Sequence, residues 1–357
     1  MPGGVVFTRV GRTDQQALTE IINFLRENDL TLDRTVRYFI TAMQGDKLVA
    51  CGGIADNIIK CVAVSPGWRG EGLGLKLATE LVNLAWELNH TELFIYTKVE
   101  NEALFRQCGF YPIARVPAMM VLMENSPCRL QRYAAELEDK SVAGEIIGSV
   151  VMNANPFTRG HQYLVQKAAE QCDWLHLFLV RENNSRFQYQ DRFDLVVAGT
   201  QHIANLTVHQ GSQYIISRAT FPCYFIKEKG LVEECYTEID LKIFRQHLAP
   251  ALDITHRFVG SEPFCEVTAK YNRDMQHWLT TPELAMPPVN LIEIQRLNYQ
   301  GTPISASRVR KLLPSGDMQA IAPLVPEATE KYLRRLVAKR FATVVTQGSK
   351  MAQGGEA

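Results

Sequence analysis

The most restrictive feature of this sequence is a regular alternation of apolar and amphipathic segments across residues 146–294. The apolar segments have the length of strands and are Ile146–Met152, Trp174–Val180, Leu206–His209, Arg257–Gly260 and Val289–Ile294. The segments between them show helical spacing of apolar residues and are Gly160–Cys172, Gln190–His202, Leu231–Leu248 and Thr268–Thr280. Apolar strands separated by helices predict a parallel sheet covered on both faces, which binds ligands beyond the carboxyl ends of its strands.

The first third of the chain has a more mixed pattern. Its predicted strands are Lys47–Ala55, Ile58–Val64, Leu93–Thr97 and Met119–Met123, and its predicted helices cover Leu77–Leu88 and Glu102–Cys108. A polar stretch then separates the two patterns. We therefore predict an α/β protein with a mixed-sheet domain at 1–125, a linker at 126–145, a Rossmann-like parallel-sheet domain at 146–343 and a disordered tail at 344–357.

Composition excludes several classes of function. The chain has 357 residues, and its 38 Lys and Arg balance 38 Asp and Glu, which argues against a nucleic-acid partner and against a polybasic membrane contact. No apolar run approaches the ~20 residues of a membrane span, and the first residues lack the pattern of a secretory signal. The eight cysteines form no C-x-x-C pair. Reduced thiols in a cytoplasmic protein without a membrane partner are the expectation.

The first chemical motif, Asn153-Ala-Asn-Pro-Phe-Thr-Arg-Gly-His161, directly follows the first strand of the predicted parallel sheet. Thr158 is expected to cap a helix that begins near Arg159, and the amides of that helix end form an anion site. Gly160 has no Cβ, so a phosphate can approach the backbone. His161 lies on the same face as Thr158 and can donate to charge that develops on a phosphoryl oxygen.

The second motif, Gly301-Thr-Pro-Ile-Ser-Ala-Ser-Arg-Val-Arg310, follows the last strong strand. Pro303 and Ser305 indicate another helix start, and Ser307 and Arg310 share one face of that helix. Hydroxyls combined with a guanidinium fork suit a triphosphate.

These two motifs resemble the signatures of the nucleotidylyltransferase superfamily, whose members transfer AMP from ATP to an acceptor. The resemblance implies that His161 contacts the α/β-phosphate bridge, with Thr158 and Arg310 as the other catalytic residues. It also implies a set of ATP-binding residues: Asn153, Asn155, Gly160, Gly260, Glu262, Ser305, Ser307 and Arg308. Mg²⁺ is expected to arrive with ATP and to keep most of its waters.

Longer stretches are similar to the citrate lyase ligase family. The matching segments are Asn155–Val165, Gly211–Ser217, Ala219–Tyr224, Gly260–Pro263, Thr268 and Tyr271-Asn272. The resemblance implies an AMP-forming acid–thiol ligase that converts acetate and ATP into acetyl-adenylate and pyrophosphate. The acetyl group would then pass to the CoA-derived thiol on the acyl carrier subunit of citrate lyase, which activates the lyase.

The first domain carries its own motif, Val62-Ala-Val-Ser-Pro-Gly-Trp-Arg-Gly-Glu-Gly-Leu-Gly74, which resembles the acyl-CoA loop of GNAT acetyltransferases. Asn101–Phe110 is similar to a later GNAT segment, in which Phe105 stands where many members have a tyrosine. The resemblance implies that Arg69, Gly72 and Gly74 bind a CoA-like arm. Binding of the arm without acyl transfer is favoured over catalysis.

Three further points stay open from the residues alone. Arg181, Arg186 and Arg192 follow the second strand and are either an anion site or surface arginines. The acidic stretch Glu233–Asp240 is interpreted as a solvated helix face, and the histidines show no H-x-x-x-H spacing, so no protein-built metal site is expected. The alternative functions are an adenylyltransferase that acts on a CoA or NAD precursor, and a non-catalytic regulator that binds the carrier.

Overall fold

The computed structural model describes residues 4–181, 186–216, 221–222, 224–226, 229–261 and 266–338, without the side chains of 229 and 266–269. The predicted ATP-binding residue Glu262 and the predicted tail 344–357 lie outside the described residues. The chain forms two compact units, of which the first is Met1–Leu137 with Thr220–Leu248 and the second is Glu138–Ala219 with Ala249–Ala357.

The strands, numbered along the chain, are β1 (Val6–Gly11), β2 (Tyr38–Gln44), β3 (Lys47–Ala55), β4 (Ile58–Val64), β5 (Phe94–Thr97), β6 (Tyr111–Val116), β7 (Met120–Glu124), β8 (Ile147–Met152), β9 (Trp174–Leu179), β10 (Leu206–His209), β11 (His256–Gly260), β12 (Asn290–Ile294), β13 (Asn298–Tyr299) and β14 (Thr302–Pro303). The helices are α1 (Gln15–Glu27), α2 (Leu73–Glu87), α3 (Glu102–Gln107), α4 (Arg129–Glu138), α5 (Arg159–Ala169), α6 (Tyr189–Thr200), α7 (Lys229–Ile243), α8 (Ala249–Ala251), α9 (Glu266–Thr280), α10 (Ala306–Leu312) and α11 (Met318–Ile321).

The first unit is built on a seven-stranded mixed sheet with the order β1-β2-β3-β4-β5-β7-β6. Among the described strands of this sheet, only β4 and β5 are parallel neighbours, and their ladder covers just Ile58 opposite Phe94 and Ile59 opposite Ile95. Beyond these pairs the two strands line opposite walls of a cavity of about 580 Å³. The incomplete ladder therefore opens a cleft in the middle of the sheet.

The two faces of this sheet carry separate cores because successive strand residues point to opposite sides. Cys61 and Ala63 of β4 pack with buried residues of α1 such as Ile21 and Leu25. Ile59 of β4 packs on the other face, together with buried leucines of α2. The cleft between β4 and β5 thus lies between an α1 face and an α2 face.

The second unit contains a five-stranded parallel sheet with the order β10-β9-β8-β11-β12. The predicted parallel sheet is confirmed, because β10 with β9, β9 with β8, β8 with β11 and β11 with β12 all pair in parallel. The chain runs outward from β8 to β10 and then returns to add β11 on the opposite side of β8. The carboxyl ends of β8 and β11 therefore mark the point at which the strand order reverses, where open α/β sheets bind ligands.

Helix α7 belongs to the first unit, although its sequence lies among the segments that alternate with the parallel strands. The interpretation of its acidic residues as a solvated face is wrong for two of them, since Glu238 and Asp240 are buried. Lys242 pairs with Glu238 at 2.5 Å and donates to the carbonyl of Arg115 in β6 at 2.8 Å. Amphipathic spacing predicts a buried face but does not tell which core that face will join.

The described helices include none that is long and apolar enough to cross a membrane. No disulfide joins the described cysteines, among them the buried Cys51 and Cys61.

Candidate active site

The first motif forms the connection from β8 to α5, and Thr158 is the N-cap of that helix, as the sequence predicts. The Thr158 hydroxyl accepts from the backbone N–H of His161 at 3.3 Å, and the backbone N–H of Thr158 donates to Nδ1 of His161 at 3.1 Å. The two residues thus satisfy each other's polar groups in a capping box. The imidazole is held in one orientation at the start of α5.

The hydrogen bond from the Thr158 amide also shows which ring nitrogen of His161 carries the proton. A backbone N–H donates to Nδ1, so Nδ1 is the acceptor and the neutral ring carries its proton on Nε2. Burial, followed by the positive charges of Arg296 and Arg310, lowers the pKa of His161 to about 4. His161 is therefore neutral near pH 7 and donates through Nε2.

Gly160 brings the two motifs together. A Cβ at this position would lie 2.8 Å from the backbone oxygen of Ile304, which is closer than real Cβ contacts. The sequence predicts that Gly160 makes room for a phosphate, whereas the group that the structure places against it is the carbonyl of the second motif. Glycine is required here for the approach of two backbones.

The second motif begins α10, and Ser305 is its N-cap, with a hydroxyl that accepts from the backbone N–H of Arg308 at 3.2 Å. The predicted helix start is confirmed. The hydroxyl of Ser307 accepts from Nη2 of Arg310 at 2.9 Å, which confirms that these two residues share a face.

Arg310 connects the motifs by a direct hydrogen bond. Its Nη1 donates to the backbone carbonyl of Asn155. Desolvation and the nearby charge of Arg186 lower the pKa of Arg310, and Arg186 in turn donates to the carbonyl of Arg310 at 3.3 Å. Two guanidinium groups are thereby concentrated beside the first motif, which favours an anionic ligand.

Two buried polar atoms at this junction have no hydrogen-bond partner among the described residues: Oδ1 of Asn155 and Nη1 of Arg308. Buried polar atoms without partners are uncommon and costly in folded proteins. A bound molecule with phosphate oxygens for Arg308 and a donor for Asn155 would satisfy both atoms. The residues present thus fit a nucleotide.

Arg192 has a different role from either one that the sequence left open. Its side chain is fully buried and donates to the carbonyl of Asn153 at 2.5 Å, to Oδ1 of Asn153 at 2.6 Å and to the carbonyl of Val180 at 3.2 Å. Asn153 and Val180 follow the adjacent strands β8 and β9. Arg192 therefore holds the carboxyl ends of β8 and β9 together through these carbonyls.

Gly260 ends β11, the neighbour of β8, and a Cβ there would lie 3.8 Å from the side chain of Arg296. Arg296 follows β12 and acts electrostatically on His161. Sequence reasoning missed Arg296. Its place just after the last parallel strand could have identified it as a site residue, because such sheets bind ligands at the carboxyl ends of their strands. The side chain of Arg296 is therefore close to Gly260, and its charge acts on the first motif.

The second unit thus brings together most of the residues predicted from the two motifs. The residues linked by the contacts above are Asn153, Asn155, Thr158, Gly160, His161, Ser305, Ser307, Arg308 and Arg310. Within the described ranges no group of three or more His, Cys, Asp or Glu is arranged to hold a metal ion.

The GNAT-like motif of the first unit lies at the start of α2 and lines the cleft described above. Gly72 is the N-cap of α2 with a φ of 75°, a left-handed conformation that favours glycine. Arg69 donates through Nε to the carbonyl of Val64 at 3.0 Å and through Nη2 to Asn28 at 3.3 Å. Gly74 packs against Leu104, whose Cδ2 would lie 3.2 Å from an added Cβ.

Phe105 also lines this cleft, and its side chain is buried against Phe110. A phenyl ring offers no proton to a leaving thiolate. The GNAT-like position at which many relatives carry a tyrosine therefore has no acid in this chain.

Comparison with known proteins finds a separate family match for each of the two units. The family model described as citrate lyase ligase C-terminal domain matches residues 147–333, and the acetyltransferase (GNAT) family model matches residues 11–110. The fold and the family models define a protein with a GNAT-like unit and a parallel-sheet unit of the citrate lyase ligase C-terminal type.

Curated relatives match nearly the whole chain. The citrate (pro-3S)-lyase ligase of Escherichia coli (strain K12) is 64% identical over 94% of this chain and 96% of its own length. The citrate (pro-3S)-lyase ligase of Klebsiella pneumoniae is 50% identical over 92% of this chain and 96% of its own length. The chain belongs to the citrate lyase ligase family, and its members are ligase enzymes.

Solved structures give more distant matches. Escherichia coli ElaA has a TM-score of 0.32 and 15% identity, and covers 34% of this chain and 99% of its own. Thermotoga maritima TmcAL, solved with alpha-thio ATP, has a TM-score of 0.35 and 13% identity, and covers 54% of this chain and 56% of its own.

Proposed function

We propose that this protein is the AMP-forming acid–thiol ligase that acetylates the CoA-derived thiol on the acyl carrier subunit of citrate lyase and so activates the lyase. The family membership supports the lyase as the partner, because the relatives carry that name. The observation that carries the chemistry is the junction of the two motifs, where Arg310 reaches the carbonyl of Asn155 beside the neutral His161.

The first half-reaction joins acetate to AMP. A carboxylate oxygen of acetate attacks the α-phosphorus of ATP, the bond to the bridging oxygen breaks, and pyrophosphate leaves. Negative charge accumulates on the leaving oxygen, and an N–H donor aimed at that atom stabilises the transition state. We assign this role to Nε2 of His161, because its Nδ1 is already occupied by the Thr158 amide.

The remaining residues of the junction are proposed to hold the nucleotide. Ser305, Ser307 and Arg308 are assigned to the β- and γ-phosphates, and the unpartnered Nη1 of Arg308 supports this. Asn153, Asn155 and Gly260 are assigned to the rest of ATP, as is Glu262, which lies outside the described residues. Gly160 supports the site indirectly, because it lets the backbone of the second motif approach the first. Mg²⁺ is proposed to enter on the phosphate oxygens of ATP, with water as its other ligands.

The second half-reaction transfers the acetyl group to sulfur. The thiolate of the carrier's arm attacks the acetyl carbonyl, the mixed anhydride breaks, and AMP leaves. Catalysis depends here on positioned reactants more than on covalent help from the protein. We propose that the first unit holds the arm, with its pyrophosphate end at Arg69, Gly72 and Gly74. The same proposal places the enzyme in the cytoplasm, which supplies its ATP.

The decisive experiment is isotope exchange between pyrophosphate and ATP with Mg²⁺, in the presence and absence of acetate and without the carrier. Acetate-dependent exchange is the expected result, because formation of acetyl-adenylate is reversible. Exchange that needs phosphopantetheine or a mononucleotide instead of acetate would favour an adenylyltransferase of the CoA or NAD precursor type. ATP binding without exchange, even when carrier is added, would favour a non-catalytic regulator.

A further inference from the structure

The cleft of the first unit contains aromatic side chains from a segment far away in the sequence. Tyr224 and Phe225 line the cavity between β4 and β5 together with Ala63, Tyr96 and other cleft residues. They follow β10 by sequence and lie within the stretch matched by the ligase family model, yet they pack in the first unit. GNAT-like sequence patterns did not predict this contribution.

Tyr224 is held firmly in this position. Its carbonyl accepts from the backbone N–H of Thr31 at 2.9 Å and from the Thr31 hydroxyl at 3.3 Å, and its own hydroxyl donates to the carbonyl of Tyr96 at 3.4 Å. Only 6% of Tyr224 is exposed. Phe221 packs edge-to-face on Tyr96 with ring centroids 5.2 Å apart. A second residue near Tyr224 is therefore packed against β5.

The position of Tyr224 relative to the two faces of the sheet is informative. Tyr224 packs on the α1 face with Cys61 and Ala63. Arg69 and Gly72, at the start of α2, line the same cavity. An arm whose pyrophosphate lies at α2 would extend between β4 and β5 and present its thiol toward Tyr224.

We propose that Tyr224 and Phe225 form the end wall of a pocket for a pantetheine-type thiol arm and limit the acyl group on that arm to about the size of acetyl. This inference rests on the proposed function for the assignment of the cleft to such an arm. Both residues pack on the α1 face of the sheet, so the wall covers that side of the cleft. The first unit is thereby suited to hold an acylated or free thiol rather than to pass an acyl group to an amine.

The physical basis for length selection is the rigidity of the wall. Extra methylenes forced into a well-packed aromatic surface displace side chains from their preferred rotamers and weaken binding. Tyr224 cannot turn away cheaply, because its carbonyl and its hydroxyl are both hydrogen-bonded. An acyl group two carbons longer than acetyl would therefore meet the ring.

The test is the affinity of the full-length protein for acetyl-CoA and butyryl-CoA, measured by calorimetry. Wild type should bind butyryl-CoA about tenfold more weakly than acetyl-CoA. Tyr224→Ala should bring the two affinities within about threefold of each other by opening the wall. Tyr224→Phe keeps the ring and the backbone hydrogen bond to Thr31 but loses the bond to Tyr96, so it should retain most of the wild-type ratio.

Controls separate the wall from general damage to the fold. Tyr111→Ala changes an exposed tyrosine in β6 that does not line the cavity, and it should leave the ratio unchanged. If Tyr224→Ala unfolds, Phe225→Ala tests the same wall at a less buried position. Equal affinities in wild type, an unchanged ratio in both alanine variants, or no binding of either acyl-CoA would overturn the inference. Acetate-dependent exchange tests the ligase assignment independently of all three outcomes.

Discussion

The guanidinium of Arg310 joins the two motifs, because it donates to the carbonyl of Asn155, which lies 155 positions earlier in the chain. The same group donates to the hydroxyl of Ser307 at 2.9 Å. The hydrogen bond to Asn155 fixes the turn that precedes α5, and the one to Ser307 fixes the start of α10. Neither motif forms the site alone.

Substitution of Arg310 should therefore damage the site more than the loss of one charge would. We expect Arg310→Ala to lower acetate-dependent exchange by about a hundredfold or more. Arg310→Lys should recover little of it, since an ammonium cannot reach two acceptors with a planar fork. Arg335→Ala, an exposed arginine on the helix at 327–338, is the matched control and should retain full exchange. Activity of Arg310→Lys near wild type would contradict the bridging role.

His161→Ala should slow adenylation by roughly a hundredfold, because one donor to the leaving oxygen is lost. The ring is already neutral, with a pKa of about 4, so the rate should show no inflection near pH 6.5. The measurement is the exchange rate from pH 5.5 to pH 8 at saturating ATP. A variant within threefold of wild type, or an acid limb centred near pH 6.5 that disappears in the variant, would show that His161 acts differently.

Gly160→Ala should disturb the contact with Ile304, because the new methyl group would lie 2.8 Å from that carbonyl oxygen. We expect a higher KM for ATP, lower exchange and a melting temperature lower by a few degrees. Gly230→Ala is the matched control, since nothing lies within 4 Å of its added Cβ and the residue is in helix α7. That variant should be as stable as wild type or slightly more so. Equal behaviour of the two variants would refute the close approach.

Three histidines of the second unit should make stability dependent on pH in the acid range. Burial lowers the pKa of His161 and His176 to about 4 and that of His209 to about 3, against 6.5 when unfolded. Between pH 6.5 and pH 4 the unfolded chain therefore binds more protons, so the free energy of unfolding falls as the pH falls. Urea titrations should show a loss of more than about 2 kcal/mol across this window, given about 1.36 kcal/mol per pKa unit.

His209→Gln should flatten this dependence, because it removes one of the buried rings that must remain neutral. His202→Gln is the control, since His202 is exposed and its Nε2 donates to Oε1 of Gln166 at the surface. Hydrogen bonds from Arg115 and Arg106 lower the pKa of Glu102 to about 2 from an ordinary value of 4.5. Its effect on the free energy of unfolding therefore falls mainly below pH 4.5. A free energy of unfolding that is constant from pH 6.5 to pH 4 would contradict the burial of these rings.

Arg69→Ala should separate the functions of the two units. The KM for the carrier should rise, because the guanidinium at the mouth of the cleft is lost, while acetate-dependent exchange without carrier should stay unchanged. Arg106→Ala provides the comparison, since Arg106 is exposed and pairs with Glu102 outside the cleft. An unchanged KM for the carrier would remove Arg69 from the arm site.

Much of the fold could be predicted from the sequence where periodicity is strong. The strands Lys47–Ala55, Ile58–Val64 and Leu206–His209 were predicted with their observed bounds, because each is a short apolar run between clear turn residues. The strands β1 and β2 were missed. Neither strand alternates cleanly, since β1 has three exposed residues and only one buried residue, and β2 has four consecutive buried residues.

The candidate site was predictable to the extent that it depends on local motifs. Thr158 and Ser305 cap their helices as expected, since capping is decided within four residues. The buried role of Arg192 was not predictable, because its acceptors are backbone carbonyls of two different strands. The position of Tyr224 in the first unit was likewise not predictable, since no local sequence pattern specifies which hydrophobic core a segment joins.

The segment 220–248 has one more consequence, for how the protein can be divided. It is encoded within the stretch that matches the ligase family model, but it packs with the unit that matches the GNAT family. A gene fragment that ends between the two family matches would therefore produce a first unit without helix α7 and without the wall of its cleft. The two family-matched regions therefore cannot be exchanged independently. Any chimera or truncation that is meant to keep the first unit must include segment 220–248 together with residues 1–137.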